Sequence, residues 1–145
     1  MANKVLGLGT LVKVDDDDSG STFTTITLVL NCTPPGRKRE RIDGTSLSDT
    51  LATYEGGIET HSEFTFTQFW EAEDTNHAIM DTLFALGSAT TGKVLWTVTY
   101  SNTASSGTVD QFEGWVSDLD PQTITVNGIN QRNVTIQRTG AITRT

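Results

Sequence analysis

Apolar and polar residues alternate with a period of two along most of this chain, the pattern of strands that bury one side only. In "TFTTITLVLN", Phe23, Thr25, Thr27 and Val29 share one side while Ile26, Leu28 and Leu30 share the other, which predicts one continuous strand. "EFTFTQFW" alternates Phe64 and Phe66 with Thr65 and Thr67. "KVLWTVTYS" alternates Val94, Trp96, Val98 and Tyr100 with Leu95, Thr97 and Thr99, placing Trp96 in the core. "VDQFEGWVSDL" sets Phe112, Gly114 and Val116 against Glu113, Trp115 and Ser117, and "TITVN" and "RNVTIQRTGAIT" read as further strands. Threonine recurs on the second side because its branched Cβ suits the pleat and its hydroxyl tolerates water. The outer faces are therefore wet but seldom charged.

One stretch changes period. "DTNHAIMDTLFALG" carries Ile79, Met80, Leu83, Phe84 and Leu86 at helical spacing, with Asp74, Thr75 or Asn76 to cap its start and Gly87 to end it. A shorter helical turn is expected within "SLSDTLATY", capped by Ser46 or Ser48 and stopped by Gly56-Gly57. The expected fold is mainly β: a sandwich or partial barrel of about seven or eight strands with one packed helix. The 145 residues make one domain, 1–145, with an N-terminal arm at 1–11 and a long irregular connection at 33–57. Loops that long inside small domains are usually functional or disordered, which draws attention to 33–57.

Charge narrows the function. Asp and Glu number 18 against 10 Lys and Arg, a net charge of −8, which opposes tight binding to phosphate backbones. The single cysteine, Cys32, allows no internal disulfide. No apolar run is long enough to span a bilayer, and the first ten residues are too short and Gly-broken for a signal peptide. Asn31-Cys32-Thr33 and Asn133-Val134-Thr135 match the glycosylation sequon, a pattern short enough to arise by chance.

Candidate chemistry is sparse. Asp15, Asp16, Asp17 and Asp18 stand in a row, yet a calcium loop starting at Asp15 fails at its twelfth position, Ile26, so a hydrated turn reversed by Ser19-Gly20-Ser21 is the favoured reading. The pairs Glu71/Glu73 and Asp118/Asp120 sit at strand ends, where charge is ordinary. His61 and His77 have no metal-ligating neighbours at a suitable spacing, Cys32 has no nearby base, and "GLG" at 7–9 lacks the rest of a phosphate-binding motif. Neither an enzyme nor a cofactor is expected. The one basic cluster, Arg37, Lys38, Arg39, Glu40 and Arg41, followed by Asp43, lacks the aromatic partners of a nucleic-acid site and reads better as an ion-pairing surface against a second acidic subunit. The rival from another class is a carbohydrate-binding β-sandwich module, with Trp70, Trp96 and Trp115 as stacking platforms.

The order of features resembles the major tail tube proteins of long non-contractile-tailed bacteriophages and gene transfer agents. The stretches that carry the resemblance are "GLGTLVKVDDDDSGSTFTTI", "RERIDGTSLSDT", "SEFTFTQFWEAEDTNHAIMDTLFALGS", "VLWTVTY", "FEGWVSDLDP" and "NVTIQRTGAIT". The resemblance implies a structural virion protein, made in the bacterial host cytoplasm, whose hexameric rings stack into a tail tube. Its implied partners are itself, the tape measure, the terminator, the baseplate or tip, and double-stranded DNA in transit. Six copies giving about four strands each, tilted ~45°, would close a backbone circle about 50 Å across, wide enough for a duplex. The connection at 33–57 and the arm at 1–11 are expected at contacts between rings or neighbouring subunits. The acidic turn would face either the channel or a neighbour's basic loop.

Overall fold

A computed structural model describes residues 10–15, 23–71, 75–89, 92–100 and 108–145. Strands β1 (Leu11–Asp15), β2 (Thr24–Thr25), β3 (Val29–Thr33), β4 (Arg37–Asp43), β5 (Tyr54–His61) and β6 (Phe64–Phe69) precede helix α1 (Thr75–Leu86), and β7 (Val94–Thr99), β8 (Val109–Pro121) and β9 (Gln131–Arg144) follow it. Seven strands form one sheet in the order β2-β1-β7-β8-β9-β6-β3, every pair antiparallel. β4 and β5 pair only with each other.

The sheet is curled, and the chain itself requires it. β2 and β3 lie at opposite edges, yet only Ile26, Thr27 and Leu28 separate them in sequence. Four Cα steps reach at most about 14 Å, whereas seven flat strands would set their outer members about 29 Å apart. The linking residues bond to both sides: Ile26 N–H donates to Val12 O at 2.9 Å, and Phe69 N–H donates to Leu28 O at 3.0 Å. Leu28 makes the bend in the left-handed region, at φ 61°. The continuous strand read from "TFTTITLVLN" is therefore broken in two, because the chain must leave one edge and join the other.

The core fills the concave space of this half-barrel. Val12, Val14, Val94, Trp96, Val98, Phe112, Val116, Val134, Ile136, Phe64 and Phe66 all point to one face, as their alternation predicts, and Met80 and Leu83 of α1 close over them. Phe64 stands edge-on to Phe112 at 5.3 Å, with Phe66 and Trp96 tilted against it. Trp96 Nε1 donates to Gly114 O at 3.2 Å, so the buried indole is satisfied. A Cβ at Gly114 would lie 2.7 Å from Ile136 Cγ2 and 2.8 Å from Gln137 O, so only glycine lets β8 and β9 approach there.

Helix α1 ends as its sequence indicates. Gly87 adopts φ 59° and donates to Leu83 O and Phe84 O, both at 3.1 Å. Phe84 and Leu86, at core spacing in the sequence, are exposed instead. "TITVN" is no strand: β8 stops at Pro121, and residues 122–130 form a loop closed by Gln122 N–H to Gln131 O at 2.9 Å. The described residues thus form nine strands, one more than the upper expectation, because the connection at 33–57 is itself largely a hairpin.

Candidate assembly surfaces

The face of the sheet turned away from the core is polar and carries no covering element among the described residues. Register places Thr97 and Thr99 of β7, Gln111, Glu113, Trp115 and Ser117 of β8, and Asn133, Thr135, Gln137 and Thr139 of β9 on it. Thr65 and Thr67 of β6 and Lys13 of β1 continue the carpet. Ser117 is the extra residue of a bulge, donating to Thr135 O at 3.2 Å, and beyond it Asp118 and Asp120 join the same face. Many of these groups already satisfy one another: Thr67 Oγ1 donates to Asn133 Oδ1 at 2.7 Å, and Thr139 Oγ1 to Glu113 Oε1 at 3.1 Å. Glu113, Asp118 and Asp120, with the buried Asp15 in the same register, stand against one lysine, Lys13, and make the face mildly acidic; Leu95, Phe69 and Trp115 are among its apolar members. Asp15 belongs to β1 and is buried, opposite Leu95, so it does not stand in a hydrated turn; Asp16, Asp17 and Asp18 lie outside the described residues.

The arm formed by β4 and β5 is the second surface. Every residue of β4 is exposed, so cross-strand side-chain contacts hold the arm instead of a core. Arg37 grips Glu59 at 3.0 and 3.4 Å, Arg39 Nη1 donates to Gly57 O at 2.9 Å, and the Arg41 guanidinium lies 4.0 Å over the Tyr54 ring. The register slips between Arg39 and Arg41, where Gly57 and Ile58 face the single residue Glu40. A Cβ at Gly57 would lie 3.1 Å from Glu40 O and 3.2 Å from Ile42 Cδ1, so the glycine pair serves the strand bulge and does not stop a helix. At the tip, Asp43 Oδ1 accepts from Thr45 N–H at 2.9 Å and Asp49 Oδ2 from Ser46 N–H at 2.6 Å, and a turn at 47–48 stands in the stretch where a helical turn was expected.

All six residues, Arg37 to Arg41 and Asp43, thus sit within the one strand β4, which Asp43 ends. Arg37, Arg39 and Arg41 make the contacts just described, while Lys38 and Glu40 face solvent. The hydrogen bond from Arg37 holds the Glu59 carboxyl below its ordinary range, with Arg138 and Arg39 adding to it. Glu59 and Arg138 were not singled out by sequence. A signal did exist for the second, since Arg132, Val134, Ile136 and Arg138 share the buried register of β9.

Both ends of the molecule expose aliphatic side chains. The arm shows Ile42, Leu47 (108 % exposed), Leu51 and Ile58 (83 %), and the loop between β8 and β9 shows Ile124, Val126 (102 %) and Ile129. The arm leaves the sheet where β6 begins, and the loop lies at the end where β6 finishes, so the two patches project from opposite ends of the strands. Patches of this kind mark surfaces that a partner covers. The tryptophans form no shared platform: Trp96 is buried, Trp115 lies on the opposite face of the sheet, and Trp70 sits 5.4 Å from the Arg132 guanidinium. Among the described residues no group of His, Cys, Asp and Glu could hold a metal ion, and no helix is long and apolar enough to cross a membrane.

A curled sheet with one sealed face, one open polar face and apolar projections at both ends defines a structural protein that works through its surfaces. The chain belongs to the lambda-like phage tail tube (TTP) family, whose profile matches residues 4–145. It is a component of the tail of phage-like particles and not an enzyme. Among solved structures it is similar to the tail of an empty gene transfer agent particle refined in C6 symmetry, at 19 % identity and a TM-score of 0.76, covering 98 % of this chain and 99 % of that one. The SPP1 tail tube matches at 8 % identity and a TM-score of 0.74, covering 97 % and 78 %. The sheath/tube terminator of an extracellular contractile injection system (PVC) in its extended state matches at 11 % and 0.77, covering 100 % and 99 %. Among curated proteins none matches this sequence.

Proposed function

We propose that six copies of this chain close into a ring, that rings stack into the tail tube, and that double-stranded DNA passes through the channel. The observation that carries this reading is the uncovered polar face of the seven-stranded sheet. A channel wall must exclude the neighbouring solvent-filled space from the protein core and yet must not hold its cargo. Hydroxyl and amide groups that already bond to each other offer a polyanion no fixed ion pair, and Glu113, Asp118 and Asp120 repel phosphate. The C6 symmetry of the gene transfer agent tail supports six copies per ring.

The open edges of β2 and β3 and the exposed arm fit the same scheme, because a ring closes edges through a heterologous contact that a monomer leaves bare. The connection at 33–57, with Arg37, Lys38, Arg39, Glu40, Arg41 and Asp43, contacts the next ring or the next subunit, and residues 1–11 join it there. A terminator and a baseplate or tip cap the two ends, a tape measure occupies the tube during assembly, and synthesis takes place in the host cytoplasm. Electron microscopy of concentrated protein tests the reading: rings or hollow filaments are expected. Sedimentation as a monomer at every concentration and ionic strength would defeat it.

A further inference from the structure

Three guanidinium groups converge on one carboxylate beneath the arm. Arg37 lies 3.0 Å from Glu59, Arg138 3.6 Å and Arg39 3.9 Å, which leaves two positive charges in formal excess. Arg138 is the unusual member. Its side chain is 1 % exposed, and only Nη2 reaches Glu59. Nε and Nη1 are buried without a partner. A buried guanidinium with two idle N–H groups is costly unless an acceptor arrives. Burial pushes the Arg138 pKa down, Glu59 opposes the shift, and the Arg37 charge reinforces it.

A cavity of about 210 Å³ is lined by Glu59, Arg138, Gly140 and Ala141. β9 turns at Gly140 with φ 79°, and nothing lies within 4 Å of where a Cβ would stand. The position beside the cavity at Gly140 is therefore open space, not packed against a neighbouring side chain.

We propose that Arg138, flanked by Arg37 and Arg39, is the receptor for a carboxylate side chain of a second copy of this chain, with Glu59 as the internal carboxylate that steadies the arginines in the free subunit. This rests on the tube reading above. Two arguments favour a carboxylate over a phosphate. Arg138 shares the buried register of Val134 and Ile136, so it faces away from the open polar face assigned to the channel. Each copy also carries eight more acidic than basic residues, so an assembly of copies presents carboxylates in excess. Receptor and donor are different patches, which makes the contact heterologous and able to propagate. The incoming group takes the N–H donors that Glu59 does not reach, forming charge-assisted hydrogen bonds in a nearly dry site.

The test compares the wild-type chain with Arg138→Gln and Ala141→Glu, following polymer formation by sedimentation and electron microscopy and folding by circular dichroism. Arg138→Gln removes a buried charge, so its melting temperature should equal or exceed that of wild type, while the concentration needed for polymer rises at least tenfold. Ala141→Glu supplies a carboxylate within the same subunit; it should raise the melting temperature and suppress polymer. Either folded variant polymerising at the wild-type concentration overturns the receptor, and Ala141→Glu decides alone if Arg138→Gln does not fold. Retardation of a DNA duplex by wild type but not by Arg138→Gln also overturns it, in favour of a phosphate site. A wild-type chain that never polymerises sinks the tube reading and this inference together, whereas polymerising variants sink only the inference.

Discussion

Single residues carry much of the strain and the charge balance of this fold. Leu28 is half exposed and held at φ 61°, a conformation that costs an L-residue about 1–2 kcal/mol. Leu28→Gly should therefore raise the urea midpoint, by an amount worth up to about 1 kcal/mol after the entropy that glycine adds to the unfolded chain. Asp110 is the other telling position. Arg144 grips its buried carboxylate at 2.7 and 2.9 Å, and the Tyr100 hydroxyl donates to it at 3.0 Å. The bond from Arg144 foremost, with that from Tyr100, outweighs burial and holds the Asp110 pKa below its usual value. A carboxyl depressed in the folded state contributes stability that is complete above its unfolded pKa of about 3.9 and is lost as pH falls through the lower folded value. Asp110→Asn should thus be less stable than wild type at pH 7, and the gap in urea midpoint should narrow as pH drops below about 4. The Tyr100 hydroxyl is pushed the other way, up to about 12, by burial first and by its bond to Asp110.

Elements are joined by buried polar contacts that sequence periodicity does not show. His77 of α1 is fully buried; its Nδ1 accepts from Glu71 N–H at 3.1 Å and its Nε2 donates to Thr27 O at 3.1 Å. One imidazole thereby ties the helix to the three-residue link between the sheet edges. Arg132 adds a second tie, donating to His77 O at 2.7 Å and to Asp81 at 3.2 Å. His77→Leu removes two part-buried hydrogen bonds, from Glu71 N–H and to Thr27 O, so it should lower unfolding free energy by about 1–3 kcal/mol, read from chemical denaturation. The strands β6, β7, β8 and β9 and the helix are legible in the sequence because each buries one face and so repeats with a fixed period. The link at Ile26–Leu28 is not, since its break is imposed by an edge six strands away. The arm is not either: β4 buries nothing, so "RKRERID" has no apolar period to read, and Gly56-Gly57 looks like a stop when it accommodates a bulge. The loop at 122–130 misleads for the opposite reason, its Ile124 and Val126 alternating like a strand while exposed. The basic cluster was legible as charge, but Glu59 and Arg138, which complete it, come from positions 18 or more residues away.

At the scale of the whole molecule, the surplus apolar surface sits at the two strand ends and the surplus polarity on one face. Replacing Leu47 and Leu51 together by serine removes exposed side chains that touch no core, so stability should stay within about 0.5 kcal/mol of wild type. Polymer yield, measured by sedimentation, should fall sharply. A parallel loss of melting temperature would show that these leucines serve the monomer instead.

The alternation along β8 and β9 separates two jobs that most folds mix. Phe112, Val116, Val134 and Ile136 decide whether the sheet forms, while Gln111, Asn133, Thr135 and Thr139 on the reverse side decide what meets it. That reverse side can therefore be rewritten without touching the residues that form the core. In the tube proposed above, lysines grafted at those threonines would make the wall grip nucleic acid, and leucines would suit it to greasy cargo, both from the same rolled scaffold.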